Sequence, residues 1–246
     1  MVGQLLLRGM LVGVLAGLLA FGFARVFGEP SVDRAIAFEE AVSQAKGEPP
    51  EPELVSRGEQ AGVGLFTGVV VYGAALGGLF ALAFAFCLGR FGALSPRATA
   101  GLLALAGFVA IALLPALKYP PNPPAIGEPE TIVLRTQLYF SMIALSLVSL
   151  GAAVALARSL WTRLGAWNAA LLGVALYLVL MIVAQTVLPA VNEVPDQFPA
   201  MLLWRFRLVS FGIQAILWTT LGLLFGYVAE RGLAHAAAPR LARALR

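Results

Sequence analysis

Residues 60–89 read QAGVGLFTGVVVYGAALGGLFALAFAFCLG, a run without a single Asp, Glu, Lys or Arg. A helix needs about 20 apolar residues to cross the hydrocarbon core of a bilayer, and this run exceeds that length. Working outward, similar uncharged stretches occupy Gly9 to Ala24, Ala98 to Leu117, Thr136 to Ala157, Leu164 to Asn192 and Leu208 to Ala229. The first reaches spanning length if Arg8 and Arg25 carry their charged heads to the two interfaces. The expectation is an all-α integral membrane protein, a single polytopic domain over residues 1–246. Its six transmembrane helices lie near 5–27, 61–88, 98–117, 136–157, 165–191 and 206–229. Five spans remain if the first is a cleaved signal peptide, since Gly22 and Ala24 resemble a cleavage region.

Composition agrees. The 246 residues are 60% hydrophobic and 12% charged, with a mean hydropathy of +0.87, whereas soluble domains carry about 25% charge. These values exclude an ordinary soluble enzyme and a disordered chain, and one Cys excludes a disulfide scaffold. Cys87 and His235 cannot by themselves supply a tetrahedral set of soft metal ligands. The net charge of +4 is not gathered into a basic patch interleaved with aromatics, so nucleic acid is not an expected partner. The lipid bilayer is.

Basic residues set the orientation. Arg8, Arg90, Arg97, Arg158, Arg163, Arg231, Arg240, Arg243 and Arg246 fall on one side, in short segments whose only acid is Glu230. The other side holds Arg25, Arg34, Lys46, Arg57, Lys118, Arg135, Arg205 and Arg207, diluted by twelve of the thirteen acids. The purely basic side is expected to be cytoplasmic, with both termini there, in a bacterial inner membrane.

Small residues four apart let helix backbones approach closely. Gly9, Gly13 and Gly17 have that spacing in the first span, and Gly64 and Gly68, then Gly73 and Gly77, in the second. These helices are expected to pack together, the alternative being a conduit along the glycine faces. Leu114-Pro115-Ala116-Leu117 and Leu188-Pro189-Ala190-Val191 close two similar spans, each followed by a Pro-rich loop and a segment ending in Arg135 or Arg205. This suggests a parallel repeat of two-helix hairpins.

No ionised residue falls at the centre of a span. Among the neutral polar residues there, Gln185 and Gln214 are candidates either for a cation pathway or for interhelical hydrogen bonds. The acidic outer loop 28–60 begins with a turn at Gly28-Glu29-Pro30 and continues as a short amphipathic helix through Val32, Ile36 and Val42, stopped by Gly47. Glu29, Asp33, Glu39 and Glu40 lie on it; with Glu193 and Asp196 they are the candidate metal ligands, because carboxylate oxygens suit divalent cations. The alternative is a solvated acidic face. Proline should hold the loops after Lys118 and Asn192 in a fixed shape, with Arg135, Arg205 and Arg207 pairing to Glu128, Glu193 or Asp196.

Several segments together resemble the predicted cobalt-transporter subunit CbtA family. They are Phe27 to Pro30 with Val32 to Glu40, Thr67 to Gly73, Leu114 to Pro124, and Leu188 to Pro195 through Trp204-Arg205-Phe206-Arg207. The resemblance implies a bacterial membrane protein of about five spans that takes part in cobalt uptake, tied to cobalamin supply and accompanied by a small His-bearing membrane subunit. Relatives often carry a His-rich stretch in the first outer loop. Here residues 41–60 contain no His and instead run Lys46-Gly47-Glu48-Pro49-Pro50-Glu51-Pro52-Glu53, so the ligand that favours cobalt over calcium or magnesium is missing.

The reading that follows is a subunit of a divalent-cation importer, with cobalt or another dication as substrate and no permanently bound cofactor. A non-transporting scaffold for a small partner is the alternative. No Walker-type phosphate loop, zinc-protease motif or paired intramembrane acids are present, so no catalytic residue is expected.

Overall fold

The computed structural model describes residues 2–47, 55–124 and 126–244, with side chains through residue 235. Among them there is no strand, and 86% of the structure is helix. Five helices are long and apolar enough to cross a membrane: α1 (Val2–Lys46), α2 (Arg57–Cys87), α3 (Pro96–Lys118), α4 (Pro129–Val187) and α5 (Ala200–His235). Leu11, Leu79, Leu105, Val148 and Leu223 are exposed along them. Apolar side chains facing outward on every helix suit a hydrocarbon surround, where the core need not be more apolar than the surface.

Two sequence expectations change. The turn at Gly28-Glu29-Pro30 does not form. Instead α1 runs on through a π turn at Ala24–Gly28 into Glu29–Lys46, ending at Gly47 with φ 73°. A proline ring collides with the carbonyl four residues back and offers no N–H; the wider π turn immediately before Pro30 absorbs both defects. Pro115 is accommodated the same way, two residues after the π turn Phe108–Leu113. The second change concerns the fourth and fifth expected spans, which no loop separates: residues 136–157 and 165–187 belong to the one long helix α4. Within it Gly165 is non-helical, with φ 76° and ψ 163°, a region that only glycine adopts readily. The Ser146 and Tyr177 hydroxyls are hydrogen-bonded at 2.8 Å, although a straight helix would hold them about 46 Å apart. Therefore α4 doubles back on itself at Gly165.

The chain divides into two compact units, residues 1–108 with 208–246 and residues 109–207. In the first, α1 and α2 run antiparallel at backbone contact. A Cβ on Gly13 would lie 2.1 Å from the Gly73 carbonyl oxygen, one on Gly9 2.3 Å from that of Gly77, and one on Gly17 2.8 Å from that of Val69. The close seam thus uses Gly73 and Gly77. Gly68 faces open space, and Gly64 meets only Glu59 of its own helix. Ala16 and Ala20 pack on Leu217 of α5, and Phe225 of α5 is wedged edge-on between Phe80 and Phe84 of α2. In the second unit the two legs of α4 enclose Met142, Ala153, Tyr177, Met181 and Ala184, against which Val109, Leu114 and Tyr119 of the α3 end pack.

Candidate functional site

The acidic part of α1 is built from its neighbour's first turn. Ser56 caps α2 in a reciprocal box: its Oγ accepts the Glu59 N–H at 3.3 Å and its own N–H donates to the Glu59 carboxylate at 3.3 Å. Such a box satisfies two helix-end donors and fixes the first turn. Arg57 is therefore held facing α1, where Nη2 donates to Glu29 Oε2 and Nε donates to Asp33 Oδ1 at 2.9 Å. Glu29 and Asp33 do converge on a cation, as their one-turn spacing suggests, but the cation is the guanidinium of Arg57. The Glu29 side chain is only 9% exposed and that of Asp33 58%, so Arg57 matters most as the counter-charge of Glu29. Glu39 and Glu40 lie exposed further along the helix. Glu48, Glu51 and Glu53 lie outside the described residues.

In the second unit a different cluster gathers Glu193, Arg135 and Glu128. Arg135 Nε stands 3.2 Å from Glu193 Oε2, its Nη2 donates to the Glu128 carbonyl at 3.2 Å, and the Glu128 N–H donates to Glu193 at 3.0 Å. The guanidinium lies over Gly127, whose φ of 114° and lack of Cβ leave room for it. The Thr131 hydroxyl, the Glu128 N–H and the Arg135 charge together hold the Glu193 carboxyl below its ordinary value, although burial opposes them. The expected pairing of Arg135 with Glu193 is present. Arg207 instead donates to Asn122 Oδ1 at 2.9 Å and to the Pro121 carbonyl. Arg205 and Asp196 are exposed and form no ion pair among the described residues.

Gln185 has a structural task. Its neighbour Pro189 has no N–H, so the Gln185 carbonyl loses its helical donor, and Lys118 Nζ supplies one at 2.7 Å. The Gln185 side-chain amide donates to the Leu114 carbonyl at 3.1 Å, and the Tyr119 hydroxyl donates to the Pro189 carbonyl at 2.8 Å. The two Leu-Pro-Ala segments are thereby tied to each other. Gln214 differs, because its side-chain oxygen is buried and has no hydrogen-bond partner among the described residues.

Among the described residues no three His, Cys, Asp or Glu side chains come close enough to hold a metal ion. The candidates Glu29, Asp33, Glu39, Glu40, Glu193 and Asp196 are divided between the two units, and the most buried of them are neutralised by arginine. Sequence reasoning missed Arg57, although Ser56-Arg57-Gly58-Glu59 carries the S-x-x-E signal that places it.

Five helices long and apolar enough to cross a membrane, each with apolar side chains facing outward, fit a polytopic helical membrane protein. The model of one family, described as a probable cobalt transporter subunit (CbtA), matches residues 2–230. The chain belongs to that CbtA family. No curated protein and no solved structure matches it.

Proposed function

We propose that this chain is a subunit of a divalent metal importer, with cobalt as its substrate, in the bacterial inner membrane. The family match over residues 2–230 carries this reading. In this reading the helix Glu29–Lys46 faces outward, and its exposed Glu39 and Glu40 supply negative charge that raises the local concentration of a dication. Because Arg57 occupies the place between Glu29 and Asp33, this face acts through its field and not as a cage. Capture by ligands that prefer cobalt then falls to a small His-bearing partner subunit. We further propose six crossings, with Gly165 at the cytoplasmic turn of α4 and both termini cytoplasmic; each leg of α4 is long enough to span. Inward movement of a dication is driven by the membrane potential, about 2.3 kcal/mol per charge per 100 mV.

The test is cobalt uptake by a cobalt-starved host expressing the chain with and without the small partner. Uptake that requires this chain and falls in Asp33→Ala and Glu40→Ala at unchanged protein level supports the reading. Absence of uptake under both conditions overturns it in favour of a scaffold that assembles a membrane partner. That second reading is favoured by the lack of an ionised residue at the centre of any expected span and by the close glycine seam between α1 and α2.

A further inference from the structure

At the end of the first unit opposite Arg57, three guanidiniums from three helices gather over one stretch of α5. Arg97 of α3 pairs with Glu230 at 2.5 Å and lies over the Tyr227 ring, with its guanidinium carbon 5.0 Å from the ring centroid. Arg231 covers the same ring at 4.4 Å. Arg8 of α1 lies directly on Gly232, where any Cβ would collide with its Nη1. Residues 227–232 span about 8 Å of helix rise, with Tyr227 and Arg231 on one face and Gly232 about 140° round the helix from Tyr227, so Arg97 and Arg231 share a face and Arg8 flanks it. Three positive charges against the single carboxylate of Glu230 leave an excess of two. Neither Arg8 nor Arg231 has a carboxylate partner among the described residues.

One turn along the same helices an apolar groove begins. It measures about 260 Å³ and is lined by Gly101, Ala104 and Phe108 of α3 and by Trp218, Gly222 and Leu223 of α5. Glycine and alanine make it: Gly222 packs against Ala104, and a Cβ on Gly101 would meet nothing within 4 Å. Arg97 is four residues before Gly101, and Tyr227 is four after Leu223, so the groove begins one turn from the Arg97 guanidinium and the Tyr227 ring it covers. Leu105 and Leu223 at its rim are exposed.

We propose that this unit binds an anionic glycerophospholipid, with the phosphate on Arg97 and Arg231, the charge of Arg8 adding to the field from the neighbouring face, and one acyl chain in the groove. An apolar slot ending in a cluster of excess positive charge matches the two halves of that molecule and no soluble anion. Guanidiniums suit the phosphate through charge-assisted hydrogen bonds, and charge at the headgroup level is less screened than in bulk water. The proposal goes beyond metal import and stands whichever ion the protein moves.

The experiment is native mass spectrometry of the full-length, delipidated protein titrated with phosphatidylglycerol and phosphatidylcholine of identical acyl chains, and separately with inorganic phosphate. Wild type is expected to retain one phosphatidylglycerol with roughly tenfold or greater preference over phosphatidylcholine. The double variant Arg8→Gln, Arg231→Gln breaks no ion pair and should lose that preference. Gly101→Leu, whose Cβ meets nothing within 4 Å and whose side chain enters the groove, should weaken both lipids while leaving the thermal transition unchanged. Equal retention of the two lipids by wild type, an unaffected Gly101→Leu protein, or displacement of phosphatidylglycerol by equimolar phosphate would each overturn the proposal.

Discussion

Arg57 is the residue whose removal should be felt most at the acidic face. Glu29 is nearly buried and faces that guanidinium, so Arg57→Ala leaves a carboxylate with neither water nor counter-charge. The expected loss is about 2 kcal/mol, between the values for exposed and buried pairs. Adding Glu29→Gln should recover most of it, because a neutral amide needs no counter-ion. Thermal unfolding of the two variants in detergent checks both statements; a double variant no more stable than the single would refute them. Glu193 makes a pH prediction. Its folded-state carboxyl sits below the ordinary value of 4.5, so the unfolded chain takes up its proton first as the medium is acidified. The contribution is complete above the unfolded value and is lost as the pH falls through the lower folded one. Comparing the melting temperature of wild type and Glu193→Gln from about pH 6 to about pH 3 should show a steeper fall for wild type, and parallel curves would rule the effect out.

At the scale of elements, the α1–α2 seam distinguishes glycines that look alike in sequence. Gly13 and Gly68 each belong to a four-residue spacing, yet a side chain on Gly13 meets the Gly73 carbonyl whereas one on Gly68 meets nothing. Gly13→Leu is expected to destabilise by about 3 kcal/mol, at the upper end for overpacking because backbone cannot swing aside. Gly68→Leu should be neutral to slightly stabilising, since leucine is the better helix former. Equal effects, read from yield of folded protein and from its melting temperature, would show that the seam is misplaced. The π turns before Pro30 and Pro115 belong to the same scale. They let helices pass through prolines, one of which, Pro30, the sequence alone presents as a turn.

For the whole molecule the testable quantity is topology. In a Cys87→Ala background, Ser43→Cys should react with an impermeant thiol reagent added to intact cells, whereas Arg163→Cys and His235→Cys should react only after permeabilisation. Labelling of Arg163→Cys from outside would place the α4 turn on the wrong face, so that neither leg of α4 crosses. The same outcome would undo the assignment of the basic loops to the cytoplasm, which rests on charge density and not on a large difference in number.

Membership of the membrane class, the positions of the apolar helices and the family were legible from the sequence, because hydropathy is a local property summed over about 20 residues. The stop at Gly47 was legible for a similar reason: the groups it satisfies lie within one turn. Which of several equivalent glycines form the seam was not legible, since a spacing of four recurs on both faces of α2 and only the partner helix selects between them. Nor was the fate of the carboxylates. Glu29 and Asp33 share a helix face in any reading, but Arg57 lies 24 residues beyond Asp33, and only the packing of α2 beside α1 brings its charge to the place a metal would otherwise take.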